Sequence, residues 1–356
     1  MPRIRGCSSV ALMDIRTIKA LPKAVLHDHL DGGLRPSTIL ELADEQGYGS
    51  LPASDESELA AWFHQGDSGS LESYLEAFEQ TVSVMQTEEA VSRIAYEAGV
   101  DLADQGVVYA EVRYGPSLST RRGLTREAVL EAIIDGFDRA HRDTGIVIHG
   151  IATALRHQTD SAEVAGAASK YVGRGIVGFD LAGPEKGFPP QLHLEACKIA
   201  QEAGLGVTLH AGESDGPHSM WQALALCGAQ RLGHGVHIVE DAAFADGEIT
   251  DLGSFATRVR DHQVPLEVAI TSNLHTGSWA TAANHPFGAL LAEGFNVSIN
   301  TDNRLMSGIS MVDEYALAAE TYSLSTRDLN KITISALRAG FGTWSTRSAL
   351  IAAIEG

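Results

Sequence analysis

The sequence predicts a (β/α)8 TIM barrel with a helical insertion between the first and second strands. Short, near-continuous apolar segments alternate with helical segments, and a polar or charged residue stands at the end of each apolar segment. Such runs are typical of parallel strands in a sheet covered on both faces. An open doubly wound sheet is disfavoured, because no G-x-G-x-x-G follows the first strand and the polar residues are spread along the whole chain.

Eight segments have the composition expected of barrel strands. Glycines precede four of them, at positions where a left-handed residue closes the last turn of a helix; they are Gly106, Gly204, Gly228 and Gly294. In chain order, the predicted strands are 24–27, 107–114, 146–155, 176–183, 207–213, 231–235, 265–270 and 295–302.

The interval between the first two strands, residues 35–105, holds far more than one helix. Pro36 and Ser37 predict the start of one helix, and Thr87 predicts the start of another. An apolar stripe at helical spacing is interpreted as core packing rather than ligand contact; it comprises Leu71, Tyr74, Leu75, Phe78, Val82 and Met85. This segment is expected to cap the barrel mouth within a single domain, 1–356, whose residues 1–13 form a flexible extension.

Charge and cysteine content restrict the partners. The chain carries 26 Lys and Arg against 46 Asp and Glu, a formal net charge of -20, which opposes binding to nucleic acid or to anionic membranes. No segment approaches 18 uninterrupted apolar residues, and the N-terminus lacks the apolar core of a signal peptide. Cys7, Cys197 and Cys227 form no C-x-x-C and are expected to be reduced thiols in a cytoplasmic protein.

The predicted strands end in residues that could carry chemistry. Because all strands of a parallel barrel point the same way, their carboxyl ends meet at one rim even when they are far apart in sequence. The candidates that could share a site there are His27, His29, Glu111, Arg113, Arg156, His157, Asp180, His210, Glu213, His234 and Asp302.

A metal site is the first hypothesis for this rim. His27 and His29 project to the same face of a strand, because side-chain direction repeats every two residues. With His210 and Asp302 they would form three nitrogen donors and one oxygen donor, a set that suits Zn²⁺ with one position open to water. The alternative is that His27 and His29 are a pair of turn histidines. The fourth predicted strand offers no lysine to bridge two metals, so a single metal is the simpler interpretation.

Three further residues each have two interpretations. Glu213, three residues after His210, could be a general acid and base, or a glutamate favoured by the dipole at a helix N-terminus. His234, between two glycines, could approach a metal-bound hydroxide, or be structural; His237 is a weaker candidate. Asp180 could orient a metal ligand, or be a buried structural aspartate.

Several runs, in this order, resemble the adenosine deaminase family within the metal-dependent amidohydrolase superfamily. They are "PKAVLHDHLDGGLRPST", "ALRHQ", "GFDLAGPE", "LHAGE", "RLGHG", "TSN" with a nearby "TG", and "NVSINTDN". These runs span residues 22–303, and their combination is far more specific than any one of them alone.

The resemblance implies a TIM barrel, one Zn²⁺ per chain, and hydrolytic conversion of adenosine, and of 2′-deoxyadenosine, to inosine-type products and ammonia. It implies that the metal ligands are His27, His29, His210 and Asp302. Glu213 would carry the proton to purine N1, and His234 would hold the attacking hydroxide.

The resemblance also implies the contacts to a purine nucleoside. Asp31 matches the residue that meets the ribose 5′-hydroxyl, Gly183 the residue whose backbone N–H faces purine N3, and His29 also faces the substrate. Asp28, which points away from the two histidines, is expected to be structural.

Two positions depart from the family pattern. The family commonly has two adjacent aspartates after "NT", whereas here they are Asp302 and Asn303. Asn303 can still donate its amide N–H to purine N7, but it cannot titrate. Ala269 and Ile270 replace a common Cys-Pro pair, and we expect them to alter strand packing and pocket shape.

Alternative functions stay open at this point. The same chemistry could act on another 6-aminopurine, such as adenine or 6-aminodeoxyfutalosine. A non-catalytic purine-binding protein on the same scaffold is a third possibility. A cytidine-deaminase-type enzyme is disfavoured because the P-C-x-x-C half-site is absent.

Overall fold

Eight parallel strands surround a common axis in the computed structural model, which describes residues 13–64, 66, 77–245 and 247–356. An antiparallel hairpin of β7 and β8 lies outside this sheet. The strands are β1 (Lys23–His29), β2 (Val107–Tyr114), β3 (Val147–Leu155), β4 (Ile176–Ala182), β5 (Gly206–Ala211), β6 (Arg231–His234), β7 (Ala242–Ala245), β8 (Glu248–Leu252), β9 (Leu266–Val268) and β10 (Val297–Ile299). The sheet order β1-β2-β3-β4-β5-β6-β9-β10 follows the chain and confirms the predicted (β/α)8 barrel.

The barrel closes between β1 and the segment that follows β10. The Asp302 backbone N–H donates to the His27 carbonyl at 2.9 Å, and its carbonyl accepts from the His29 N–H at 2.7 Å. Nearby, the Asn300 side-chain oxygen accepts the Leu26 N–H at 2.9 Å. Three of the four predicted metal ligands therefore lie at the seam of the barrel.

Helices occupy the connections between strands and the C-terminal region. They are α1 (Ile15–Ala20), α2 (Pro36–Glu45), α3 (Glu56–Phe63), α4 (Phe78–Val84), α5 (Glu88–Asp104), α6 (Arg126–Thr144), α7 (Ser161–Ser169), α8 (Leu194–Ala203), α9 (Pro217–Trp221), α10 (Ser254–Asp261), α11 (Ile270–His275), α12 (Phe287–Ala292), α13 (Arg304–Ser307), α14 (Met311–Tyr322), α15 (Thr326–Ala339) and α16 (Trp344–Glu355). None of the helices within the described ranges has the length and apolarity needed to cross a bilayer.

The predicted helix ends agree with the structure. All four glycines expected to close helices have positive φ, with values of 80° for Gly106, 88° for Gly204, 65° for Gly228 and 81° for Gly294. Helix α2 begins at Pro36, and the Thr87 side chain caps α5 by accepting the Ala90 N–H at 3.2 Å.

The insertion between β1 and β2 contains α2, α3, α4 and α5. Met85 is buried in the core, as predicted. Phe78 is half-buried and packs against the core, and Val82 is buried, so both agree with the predicted core packing; both also line the cavity at the barrel mouth. The physical reason is that α4 lies beside the open end of the barrel. The other stripe positions, Leu71, Tyr74 and Leu75, lie outside the described residues, as do Cys7 and most of the predicted N-terminal extension.

The predicted seventh strand is shorter than expected. Residues 265–270 were expected to be extended, but β9 ends at Val268 and α11 begins at Ile270. Ala269 and Ile270 are both buried where the strand gives way to the helix. Neither of them lines the cavity, so the expected direct effect on pocket shape is not found.

Candidate metal centre and active site

A cavity of about 350 Å³ opens at the carboxyl ends of the barrel strands. His27 is fully buried immediately behind its wall. The cavity brings together nine of the residues singled out from the sequence: His29, Asp31, His157, Gly183, His210, Glu213, His234, Asp302 and Asn303. Its volume suits a molecule of nucleoside size.

The predicted ligand atoms converge at the floor of this cavity. Asp302 Oδ1 lies 3.3 Å from His27 Nε2 and 3.3 Å from His29 Nε2. His29 Nε2 lies 3.2 Å from His210 Nε2. His27 Nε2 is buried and has no hydrogen-bond partner, an arrangement that is costly unless a cation accepts the lone pairs. The donor set therefore fits a divalent metal of the zinc type.

A second grouping of donors includes another histidine. One donor atom from each of His27, His210, His234 and Asp302 lies within 4.8 Å of the others. This grouping contains His234 instead of His29, so distance alone leaves two candidates for the third imidazole ligand.

Carboxylates behind two of the predicted ligands orient the imidazoles of His27 and His210. Glu267 Oε2 lies 3.1 Å from His27 Nδ1, and Asp180 Oδ1 lies 3.1 Å from His210 Nδ1. A carboxylate can only accept, so each Nδ1 carries the proton and each Nε2 keeps a lone pair for the metal. Ser272 donates its hydroxyl to Asp302 Oδ2 at 2.6 Å. Asp180 thus has the orienting role that the sequence left open.

The pKa values of His29, His210 and Asp180 agree with that assignment. Burial lowers the pKa of His29 and of His210, so both are neutral at physiological pH. Burial alone would raise the pKa of Asp180, but the neighbouring His210 and Arg113 hold it below its usual range. The orienting carboxylate therefore stays ionised.

A buried ion network lies beneath the orienting carboxylates. Arg113 contacts Glu267 at 2.7 Å and Asp180 at 3.3 Å. Arg231 contacts Glu267 at 2.6 Å and Glu111 at 2.7 Å. Glu111 and Arg113 were predicted as members of the site, but they do not line the cavity. Arg113 contacts both orienting carboxylates directly, whereas Glu111 contacts Arg231, which in turn contacts Glu267.

Arg156 was also predicted as a member of the site, but it lies outside the cavity. Its guanidinium is buried, donates to the carbonyl of His210, and donates at 3.1 Å to the carbonyl of Phe188. It does not line the cavity, whereas the adjacent His157 does. Arg156 therefore supports the backbone of a predicted ligand rather than contacting a substrate.

Glu213 is positioned by a second glutamate. The Glu185 carboxylate accepts the backbone N–H groups of Gly212 at 2.8 Å, Glu213 at 3.1 Å, Ser214 at 2.9 Å and Asp215 at 3.1 Å. It also accepts the hydroxyl of Ser219 at 2.6 Å. Four consecutive amides around one carboxylate fix the loop that turns Glu213 into the cavity.

His234 faces Glu213 across the cavity floor. Its Nε2 lies 3.7 Å from Glu213 Oε2 and 3.9 Å from Asp302 Oδ2. The residue has a positive φ of 64°, which is uncommon outside glycine. A Cβ at the preceding Gly233 would lie 3.0 Å from His27 Cε1, so this position needs glycine. His237, the weaker candidate, contacts Glu240 at 2.9 Å and does not line the cavity.

The outer part of the cavity holds the predicted substrate contacts. Asp31 is buried, and burial together with nearby Asp302 and Asp28 raises its pKa to about 7. Asn303 follows the predicted ligand Asp302, and its Oδ1 is buried without a hydrogen-bond partner. Asp28 accepts from Thr301 at 2.6 Å and from Arg304 at 2.9 Å, which confirms its structural role.

Sequence reasoning gave no role to five residues that shape this site. Glu267 carried a signal, since a single charge in the apolar run "PLEVAI" is unusual for a buried strand. Glu185, Ser272 and Asn273 lie in quoted family runs but had no chemical assignment. His285 lies outside those runs, and only the structure brings it near the site.

Comparisons with known proteins agree over most of the chain. A family model described as adenosine deaminase matches residues 22–356. Adenosine deaminase 1 of Streptomyces coelicolor is 47% identical over 340 residues, which cover 94% of this chain and 86% of that protein. The adenine deaminase structure from Arthrobacter aurescens has a TM-score of 0.84 at 27% identity, covering 94% of this chain and 98% of that chain. The Arabidopsis N6-mAMP deaminase structure has a TM-score of 0.80 at 27% identity, covering 96% of this chain and 99% of that chain.

Proposed function

The chain belongs to the adenosine deaminase family, and on that premise we propose how its residues hydrolyse adenosine to inosine and ammonia. The observation that carries the proposal is the convergence of three imidazole nitrogens and Asp302 Oδ1 beside Glu213 and His234. Adenosine fits better than adenine, because the matching protein at 47% identity is named an adenosine deaminase and the adenine deaminase structure is only 27% identical.

We propose that His27, His29, His210 and Asp302 would hold one zinc ion per chain. Neutral imidazole nitrogens and one carboxylate are the donors that Zn²⁺ prefers, and the unpartnered His27 Nε2 supports this fit. When bound, zinc acts as a Lewis acid that makes water nucleophilic at neutral pH, which attack on an aromatic carbon requires.

Glu213 is the proposed proton carrier. Its carboxylate takes a proton from the attacking water and delivers it to purine N1 as the oxygen adds to C6. It then passes the second water proton to the departing amine, so that ammonia leaves and the C6 oxygen remains as a carbonyl. One carboxylate can serve both transfers because it is regenerated at the end. His234 holds the attacking oxygen from the other side, as its distance of 3.7 Å from Glu213 allows.

The outer cavity is proposed to bind the rest of the nucleoside. Asn303 donates to purine N7, the Gly183 N–H faces N3, and Asp31 meets the ribose 5′-hydroxyl, while His29 also borders the substrate. None of these contacts uses the 2′-hydroxyl, so 2′-deoxyadenosine should also be a substrate.

We further propose that residues 35–105 cap the mouth of a single domain. The position of Phe78 and Val82 in the cavity wall supports this function for the insertion. Both described cysteines, Cys197 and Cys227, are free and buried, which suits the reducing cytoplasm where we place the enzyme.

Ammonia release from a panel of purines tests the function. Adenosine and 2′-deoxyadenosine should be converted, while adenine and 6-aminodeoxyfutalosine should react at least about 100-fold more slowly. Removing metal with a chelator should abolish turnover, and added zinc should restore it. Purine binding without any ammonia release would instead support the non-catalytic alternative.

Glu213→Gln tests the proton carrier. The variant should keep the metal content of the unmodified protein and lose at least about 1,000-fold in kcat, because Gln has the same shape but cannot exchange a proton. Glu240→Gln, which removes an exposed carboxylate outside the cavity, is the matched control. Loss of metal from Glu213→Gln would show that Glu213 is not only a proton carrier.

A further inference from the structure

A chain of three hydrogen bonds reaches His234 from the side opposite the cavity. The backbone N–H of Phe287 donates to His285 Nδ1 at 3.1 Å. His285 Nε2 lies 3.2 Å from Asn273 Oδ1, and Asn273 Nδ2 lies 3.1 Å from His234 Nδ1. The three side chains are at most 1% exposed, so water does not compete for these bonds.

The direction of every bond in this chain follows from its first donor. A backbone N–H can only donate, so His285 Nδ1 accepts and the proton of its neutral ring lies on Nε2. Burial lowers the pKa of His285 to about 3, which keeps the ring neutral. His285 therefore donates to the Asn273 oxygen. The reverse amide orientation would place two donors face to face, so the Asn273 N–H must donate to His234 Nδ1.

The consequence for His234 is a fixed position of its own proton. Because Nδ1 accepts from Asn273, the neutral ring carries its proton on Nε2, the atom that faces Glu213 and Asp302. Two of the predicted ligands, His27 and His210, have the opposite arrangement. Carboxylates stand behind His27 and His210, so their Nδ1 atoms carry the protons and their Nε2 atoms keep lone pairs.

We propose that Asn273 and His285 are positioning residues that fix His234 as an Nε2–H donor to the attacking oxygen. His234 then has no lone pair to offer the metal, although it lies in the compact donor grouping, and His29 is the third imidazole ligand. For the same reason His234 cannot be the base that takes the first proton from water, which leaves that step to Glu213. This inference rests on the proposed deamination.

The tautomer itself can be measured in the unmodified protein. We would label the zinc-loaded enzyme with ¹⁵N-histidine, record imidazole nitrogen spectra, and assign His234 by comparison with His234→Gln. The expected result is a protonated Nε2 and an unprotonated Nδ1 on His234, with the reverse on His27 and His210. A protonated Nδ1 on His234, or a metal bond at its Nε2, would overturn the proposal whether or not any variant folds.

Variants test whether the chain sets that tautomer. Asn273→Asp keeps the shape but places an acceptor against His234 Nδ1, which draws the proton away from Nε2. We expect kcat for adenosine to fall about 100-fold, KM to change less than about threefold, and metal content to stay at one zinc per chain. Asn284→Asp, an exposed position next to His285, makes the same charge change outside the chain and is the matched control.

Two substitutions of His285 test its hydrogen bond to Asn273, one that removes the donor and one that can restore it. His285→Leu removes the donor to Asn273 and should lower kcat about tenfold, whereas His285→Gln can restore that donor and should recover most of the loss. Equal activity in the two variants, or unchanged kcat in a folded Asn273→Asp protein, would contradict the proposal. An unmodified enzyme that releases no ammonia would refute the proposed deamination instead, and the ¹⁵N spectrum would still decide the tautomer.

Discussion

Two residues at the candidate metal centre have backbone conformations that residues other than glycine rarely adopt. His234 has a φ of 64° and Asp302 a φ of 57°. Such conformations cost about 1 kcal/mol or more and persist only where the surroundings determine them. For Asp302 the surroundings are the seam of the barrel, since its N–H and carbonyl both bond to β1. The hydrogen bonds that close the barrel therefore also fix the position of the predicted ligand Asp302.

Asn303→Asp tests the assignment of purine N7 to Asn303. An aspartate must hold a proton to donate to N7, whereas the asparagine amide donates at every pH. The activity of the variant should therefore fall as pH rises through the pKa of the new carboxyl, by about tenfold in kcat/KM per pH unit. The unmodified enzyme should show no such additional decline. If kcat/KM for adenosine and its pH profile are both unchanged between pH 5.5 and 9, Asn303 does not contact N7.

Glu185→Gln tests whether the loop around Glu213 depends on one carboxylate. In the unmodified protein both carboxylate oxygens of Glu185 accept backbone N–H groups. In the variant an NH2 group replaces one of these oxygens, so buried N–H groups would lose their acceptor. We expect the free energy of unfolding to fall by about 2–3 kcal/mol and kcat to fall at least about tenfold with metal content unchanged. Urea unfolding and steady-state kinetics measure both. Glu195→Gln at the exposed start of α8 is the control, and equal behaviour of the two variants would exclude the loop-holding role.

Among the elements, the short helix α11 connects several parts of the site. It begins two residues after β9 and carries both Ser272, which bonds Asp302, and Asn273, which bonds His234. Its first turn is held by Glu314 of α14, whose carboxylate accepts the Thr271 N–H at 3.1 Å. A carboxylate at this end of a helix is favourable. The position of α14 thus determines how α11 meets the metal centre.

Glu314 makes this contact sensitive to pH. Burial raises its pKa to about 7, above the value of about 4.3 expected in the unfolded chain. The folded state therefore loses stability from this group as pH rises from about 4.3 to about 7, because the carboxyl ionises freely in the unfolded chain while burial disfavours its ionised form in the folded protein. Glu314→Gln removes that dependence.

Relative to the unmodified protein, the free energy of unfolding of Glu314→Gln should rise by about 2 kcal/mol more at pH 8.5 than at pH 5.5. Urea unfolding of the unmodified protein and of the variant at the two pH values measures this difference. Glu320→Gln, on the exposed side of the same helix, should show no such difference. A pH-independent effect of Glu314→Gln would mean that Glu314 is ionised throughout this range.

Among the elements, those that the sequence predicted have local signals at their boundaries, whereas those that it missed lack such signals. The eight barrel strands were predictable because each is a buried apolar run followed by a polar residue. The boundary between β9 and α11 was not, because "PLEVAITSN" contains no glycine or proline after Pro265 to mark the end of the strand. Phe78 and Val82 have the spacing of core residues on a helix. Only the position of α4 at the barrel mouth also places them in the cavity wall.

For the whole molecule, the sequence predicted which residues would meet at the barrel rim better than it predicted the residues that support them. His27, His210 and Asp302 were predicted to lie together because parallel strands bring their carboxyl ends to one rim, and the structure does bring them together. Their supports come from residues with no local signal, such as Arg231, which reaches from β6 to Glu267 and Glu111 inside the barrel. The partner of each imidazole Nδ1, an amide for His234 and a carboxylate for His27 and His210, is set by contacts between residues far apart in sequence. Local pattern cannot reveal such contacts.

The charge of the whole molecule leads to a prediction about substrate phosphorylation. The net charge is -20, and the cavity wall includes Asp31, Glu79, Glu213 and Asp302. Arg121 is the only lysine or arginine among the described lining residues, and Glu79 already binds it through two contacts, one of them at 2.8 Å. That ion pair lowers the pKa of Glu79, which therefore stays charged. Apart from the zinc proposed at the cavity floor, a 5′-phosphate beside Asp31 would meet carboxylates, and no lysine or arginine among the described lining residues is free of a carboxylate partner.

AMP should therefore react at least about 100-fold more slowly than adenosine, because like charges brought together in a cavity cost several kcal/mol. Higher ionic strength should reduce this discrimination by screening the repulsion. Glu79→Gln, which releases Arg121, should raise kcat/KM for AMP about tenfold, with a smaller effect on adenosine. Glu127→Gln breaks a similarly exposed pair with Lys170 away from the cavity and changes the net charge equally. If both variants raise AMP turnover alike, overall charge excludes the phosphate; if neither does, the Glu79–Arg121 pair has no part in substrate choice.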